Sequence, residues 1–447
     1  MTANPTNTTP PGASPGRKTR VTAVQRRTLT VLSAAQISGG IGVAVGLTFS
    51  SVTVRELSGS TALSGLAGTA TVLGAALLAL PTAKSSGRSG RRAGLTLAYG
   101  CALLGCLVSL LAVALGSWPL LLAGLVLFGA ASAGNLASRY AATDLSPPGH
   151  SARHLSLVVW ATTVGSVAGP NLAEPAERFS TGLGMPSGSG PFAVALVSFA
   201  IALGIIVVAL RPDPLLLARS ASSNASSNAS SNASSDTSPD SDVPAPGPAP
   251  SEKSAGTFRT AWRVLRGTPV AARALVAIAV SHTAMVSIMS MTPVHLDHGG
   301  STYTVIGIVI SLHIAGMYVL SPVVGWLADR VGRTTVLVAG MGLLLAAAVL
   351  AGGAGTHDVT QVAVGLLLLG LGWSFGLISG SAMLSEAVPL EHRTPVQGLS
   401  DLLMNVCGAA GTVIAGLIVG GLSYGVLGAA VAVMVTVTGA WLALTRA

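Results

Sequence analysis

Gly325-Trp326-Leu327-Ala328-Asp329-Arg330-Val331-Gly332-Arg333 is a polar interruption between two long apolar runs. A shorter version, Gly87-Arg88-Ser89-Gly90-Arg91-Arg92, stands earlier in the chain. Both copies turn on glycine at the matching position and continue into arginine. The earlier copy carries Gly87 where the later one carries Asp329. A loop motif repeated between corresponding apolar runs describes a chain built as two related halves.

The apolar runs set the class. Half of the 447 residues are hydrophobic, only 9 % are charged, and the mean hydropathy is +0.69. Soluble domains have roughly 25 % charged residues. Runs near 20 apolar residues are membrane-spanning helices. Twelve are predicted, at approximately 29–54, 62–80, 93–116, 118–142, 155–173, 191–210, 270–292, 302–324, 334–353, 360–384, 399–421 and 425–444. The expected fold is therefore all-α and polytopic, in two six-helix bundles. The repeated motif falls between the second and third span of each half.

The first run is too long for a signal peptide, whose apolar region has roughly 7–15 residues. Residues 1–27, rich in Pro, Thr and Ser, read as a disordered leader. Residues 212–260 read as a flexible linker, with Asn-Ala-Ser-Ser repeats and then a Pro/Ala/Gly tract. The bundles then occupy 28–211 and 261–447. Of the 24 Lys and Arg residues, only Arg55 and Arg178 fall on the far side of this topology. The positive-inside rule places the leader, the linker and both termini in the cytoplasm, in a bacterial inner membrane. The basic balance is thus an orientation signal. It does not read as a nucleic-acid surface. Cys101, Cys106 and Cys407 lie inside spans and suggest no disulfide framework. No hydrolase or transferase constellation is present, and an enzyme is not expected.

Six spans, a long linker and six more, with the motif Gly325–Arg333, resembles the major facilitator superfamily over essentially the whole chain. The resemblance implies a solute site between two bundles that rock about it. Asp329, Arg330, Arg333 and Glu386, with Asp401 nearby, form a candidate latch on the cytoplasmic side. The missing acid at Gly87 argues against a charged latch in the first half. No carboxylate stands at the centre of a predicted span, which argues against an ordinary proton-driven drug pump. Gly165-Ser166-Val167-Ala168-Gly169-Pro170 resembles in part a glycine–proline pattern of efflux members, and reads first as a close-packed, kinked helix.

Sulfur and imidazole concentrate in the seventh and eighth spans. Residues 282–317 contain four of the ten Met and four of the eight His. Met285 and Met289 are four apart, as are His313 and Met317, so each pair shares a helix face. His282 precedes Met285 on the same stripe. Thioether with imidazole suits Cu(I). Met291, His295 and His298 follow as a candidate metal-gathering mouth. The order Met-x-x-x-Met then His-x-x-x-Met resembles the CcoA-like copper importers, with Met285, Met289, His313 and Met317 matching. That resemblance implies Cu(I) as transported substrate, with no resident cofactor, passed to a copper chaperone or assembly factor. The same branch resembles flavin importers. The alternatives are an efflux pump for a hydrophobic drug, an importer of a small organic such as a flavin, and a metal sensor that binds without transport. For an organic solute the sequence offers Trp160, Trp373, Ser374 and Asn171.

Overall fold

A computed structural model describes residues 15–60, 63, 66–235 and 257–445. The regular structure of these residues is helical. The first half contains α1 (Pro15–Ser58), α2 (Leu66–Ser89), α3 (Arg91–Ala114), α4 (Trp118–Phe128), α5 (Ala130–Ala141), α6 (Ser151–Gly182) and α7 (Gly190–Ala209). The connecting region forms α8 (Pro214–Ser235) and α9 (Thr257–Gly267). The second half contains α10 (Pro269–His298), α11 (Tyr303–Tyr318), α12 (Ser321–Val331), α13 (Arg333–Gly352), α14 (Val359–Ala387), α15 (Arg393–Gly421) and α16 (Tyr424–Leu444).

Eleven helical segments are long and apolar enough to cross a membrane, and a bent pair supplies a twelfth when counted as one span. In hydrocarbon every backbone amide must bond within its own segment, so apolar runs of this length become helices. Six spans per half return the chain to its starting side. Both described chain ends, α8 and α9 therefore lie on one side, the linker side. The bent pair is Ser151–Gly169 with Glu174–Gly182, at 54°. The break follows Gly169 and contains Pro170, which cannot donate a helix hydrogen bond.

The two loop motifs work alike. Gly90 stands alone between α2 and α3 with φ 92°, and Gly332 between α12 and α13 with φ 101°. That region penalises any side chain, so glycine permits a one-residue turn between antiparallel spans. Gly325, one turn before Asp329, lies so close to Ala152 and Ser156 that a Cβ would stand 2.6 Å from the Ala152 carbonyl. The related contact sets Gly398 against Ala83, where a Cβ on Gly398 would stand 2.3 Å from the Ala83 Cβ. Thus α12 packs on α6 and α15 on α2 across the two halves.

The connecting region departs from the expected flexible chain. Asp213 Oδ1 accepts from the amides of Leu215 and Leu216, capping α8. Its other oxygen accepts from the Arg92 amide at 2.8 Å, and Arg219 Nη1 donates to the Gly87 carbonyl at 2.7 Å. The helix is held by its first turns against the 2–3 loop. Residues 236–256 of the expected linker lie outside the described residues. So do residues 1–14 of the leader, whose remainder from Pro15 is helical and continuous with the first span.

Gly165 and Gly169 are a packing face. A Cβ on Gly165 would stand 2.7 Å from the Gly40 carbonyl carbon, and one on Gly169 would stand 2.3 Å from the Ala44 Cβ. Two small residues four apart on α6 meet two small residues four apart on α1. Gly165→Val should therefore cost about 1–3 kcal/mol through overpacking. It should lower the thermal midpoint of the detergent-solubilised protein, while Gly204→Ala, inside a helix with nothing within 4 Å, should not lower it. Equal midpoints would exclude the contact.

Candidate functional site

Buried charge marks where the halves meet. Arg139, in the last turn of α5, is 1 % exposed. Its Nη2 donates to Asp401 Oδ1 on α15 at 2.7 Å. Its guanidinium carbon lies 4.7 Å above the ring of Tyr140, whose hydroxyl bonds Ser400 at 3.2 Å. Arg91 grips Asp144 with two bonds, at 2.7 and 2.9 Å, and also donates to Gln397 at 2.7 Å. Gln397, Ser400 and Asp401 are spaced i, i+3, i+4, on one face of α15. All three bond the first half.

Of the four residues expected to form a latch, Asp329, Arg333 and Glu386 are joined by ion pairs. Asp329 accepts from Arg333 at 2.7 Å and from the amides of Ala152 and Arg153, at the N-terminus of α6. A carboxylate there caps free amides and meets the positive end of the helix. Arg333 also reaches Glu386 at 2.7 Å, on the more exposed rim. Arg330 is elsewhere: it stacks over Trp326 at 5.1 Å and belongs to no ion pair among the described residues. The expectation that the first half lacks a charged latch is corrected. Gly87 does pack against Thr394 without a carboxylate, yet Arg91, four residues on, pairs with Asp144 and donates to Gln397 of the second half.

These cross-half bonds lie on the linker side. Above them, between the bundles, is a cavity of about 410 Å³. Arg139 is on its floor. Gln36, Asn135, Thr162 and Asn405 supply polar wall, and Trp373, Tyr318 and His282 form an aromatic corner. Tyr318 meets Trp373 edge-on at 5.7 Å between centroids. The Trp373 indole N–H donates to His282 Nδ1 at 3.1 Å. Indole nitrogen is a donor only, so neutral His282 carries its proton on Nε2. Arg139 Nε and Nη1 are buried with no protein partner, as is Gln36 Oε1.

The sulfur and imidazole stripe is divided. Met285, Met317 and His282 line the cavity, and Met404 of α15 joins them. Met289 packs instead against the second-half core. His313 is fully buried and faces α14, its Nδ1 2.8 Å from the Leu366 carbonyl. Nδ1 must donate there, which leaves the lone pair on Nε2, also without a protein partner. The mouth residues do not gather. Met291 packs on the core, His295 stacks on Tyr424 at 4.3 Å, and His298 is exposed. Of the residues named for an organic solute, only Trp373 lines the cavity. Trp160 is 43 % exposed, Ser374 is buried, and exposed Asn171 bonds its own helix. All three cysteines are free.

Asp401→Asn would leave Arg139 charged, buried and without its counter-ion. Breaking a buried pair from one side costs about 3–5 kcal/mol, whereas replacing both partners by apolar groups is often neutral. The thermal midpoint should fall in Asp401→Asn and recover in the double variant Arg139→Met/Asp401→Leu. An Asp401→Asn protein as stable as the parent would contradict the burial of the pair.

A model of the Major Facilitator Superfamily matches residues 28–305 and 296–447. An uncharacterized MFS-type transporter, YdeG of Bacillus subtilis, is 36 % identical over 399 residues, covering 89 % of this chain and 87 % of that protein. Riboflavin transporter RfnT of Brucella anthropi is 26 % identical over 386 residues, 85 % of each chain. Among solved structures, the transporter FucP in its outward conformation superposes with a TM-score of 0.65 at 15 % identity, covering 93 % of this chain and 98 % of FucP. The matched model spans both six-helix halves, and the chain belongs to the major facilitator superfamily.

Proposed function

We propose that this transporter imports a small planar heteroaromatic solute of the flavin type across the bacterial cytoplasmic membrane by alternating access. The observation that carries this is the hydrogen bond from Trp373 to His282 in the wall of the 410 Å³ cavity. It holds an aromatic corner in place and turns an N–H, not a lone pair, toward the solute. A volume in the range of roughly 300–1,000 Å³ fits a small organic molecule. A fused ring with an imide edge presents carbonyl acceptors beside an N–H donor. His282 Nε2 supplies a donor, and the side-chain amides of Asn135 and Asn405 on the cavity wall supply a further donor and an acceptor. The similarity to RfnT supports the same solute class.

A bare Cu(I) ion fits this chamber less well. It needs lone pairs, and His282 can offer one at Nε2 only by giving up its bond to Trp373. It would also stand above a permanently charged guanidinium. The copper reading keeps one supporting observation. His313 has the tautomer of a metal ligand, with one nitrogen bonded to a carbonyl and the other bare. Met285, Met317 and Met404 would have to complete the set, as copper passes between the thioethers.

Two measurements test this. Riboflavin should quench tryptophan fluorescence of the purified protein, and labelled riboflavin should enter vesicles that contain it. Trp373→Ala should weaken binding roughly tenfold or more, by loss of stacking and of the His282 tautomer. Met285→Leu/Met317→Leu should leave flavin uptake intact. If that double variant abolishes uptake of radiocopper(I), and flavin neither binds nor moves, copper is the solute.

The charge distribution further assigns the linker side to the cytoplasm. A reporter fused after Ala447 should report a cytoplasmic location. An external location would invert the transporter, and the bonds on the linker side would then close its outer face.

A further inference from the structure

Helix α9, Thr257–Gly267, is built for a boundary rather than for the bundle. Ala261 and Leu265, four apart, are buried in the second-half core. Arg259, Arg263 and Arg266 follow the i, i+4, i+7 spacing of one helix face, and the helix contains no acid. All three are exposed. Phe258 and Trp262 are also exposed, at 52 % and 44 %, beside the arginines. Arg266 lies over the Trp262 ring at 5.4 Å. A groove of about 420 Å³ is bounded by Arg259, Trp262, Arg263 and Arg266.

The position of the helix selects its partner. Thr268 alone separates α9 from α10, a membrane span that begins with Pro269. The arginines are therefore held where the span leaves the hydrocarbon, at the level of the headgroups. Exposed aromatics with arginines are the composition of a helix that lies in that layer, aromatic rings toward the acyl boundary and cations toward phosphate. A soluble polyanion would be met by the guanidinia but would gain nothing from Phe258 and Trp262.

We propose that α9 binds the phosphate headgroup of an anionic phospholipid on the linker side, in the groove between Arg259, Trp262 and Arg266. Because α9 packs on α15 and also touches α2, the lipid would sit beside the seam that carries the Gln397 and Asp401 contacts. The site is independent of the transported solute.

The test uses the full-length protein, delipidated in mild detergent and titrated with phosphatidylglycerol, phosphatidylcholine or inorganic phosphate. Bound lipid is counted by native mass spectrometry. The parent should retain phosphatidylglycerol about tenfold more tightly than phosphatidylcholine. Arg259→Gln/Arg266→Gln should remove most of that preference, and Arg259→Lys/Arg266→Lys should keep most of it. Equal retention of the two lipids by the parent would overturn the proposal. So would unchanged preference in the Gln variant. Displacement of the lipid by millimolar inorganic phosphate would reduce the site to a simple anion site and overturn the lipid assignment. If the Gln variant fails to fold, the parent decides: its preference must shrink as salt is raised, since screening weakens contacts to phosphate, and a preference indifferent to salt sinks the idea.

Discussion

A guanidinium inside an apolar bundle needs a counter-ion, and Arg139 finds its carboxylate on the opposite half of the molecule. The constraint propagates. With Asp401 committed to Arg139, Gln397 and Ser400 on the same helix face are brought to Arg91 and Tyr140. The halves are thereby registered against each other on the linker side. A buried pair adds little net stability because desolvation offsets its attraction. Its effect is specificity: one arrangement satisfies the charges, and any other dry arrangement leaves them bare. When the seam opens to water, solvation replaces the partner and the penalty falls away. A carrier needs a contact of this kind, firm while dry and cheap to break once wet.

Most of the architecture was legible in the sequence because the bilayer is a simple solvent. Long apolar runs became helices near their expected bounds, and the repeated Gly-Arg loops became one-residue turns at Gly90 and Gly332. The kink after Gly169 followed from its proline. Helical spacing showed which residues share a face, but not what that face meets. His313 and Met317 share a stripe on α11, yet that stripe straddles a boundary. One member meets α14 and the other meets the cavity. The start of the connecting region is ordered for a local reason that spacing does not show: a single acid, Asp213, caps α8 and ties it to the 2–3 loop. The central ion pairs were missed because Arg139 and Asp401 stand near span ends. There they look like the loop charges that orient the chain. Opposite charges just inside two apolar runs from different halves were the available signal.

The cavity illustrates how a histidine's role depends on its neighbour. His282 and His313 are both spaced to face methionines, and from spacing alone they are equivalent. Trp373 gives His282 a proton outward, while the Leu366 carbonyl gives His313 a lone pair outward. One imidazole carries its free N–H outward and the other a lone pair without a partner. The first faces the chamber and the second faces packed helix. The concentration of soft ligands in two adjacent spans is thus real in sequence and dispersed in space.

Along α15, residues 397, 400 and 401 bond the first half, while Met404 and Asn405 line the cavity directly above. Gate and chamber share one rigid rod, with about one helical turn between them. Substitutions on this helix would be epistatic: a change that suits a new cargo also alters how firmly the seam holds. Helices α10 and α14 bring His282, Met285 and Trp373 to the same chamber and supply no member of the buried ion pairs. Divergence of substrate preference among descendants of this protein should therefore accumulate on those walls, while the α15 stripe changes slowly or in compensated pairs.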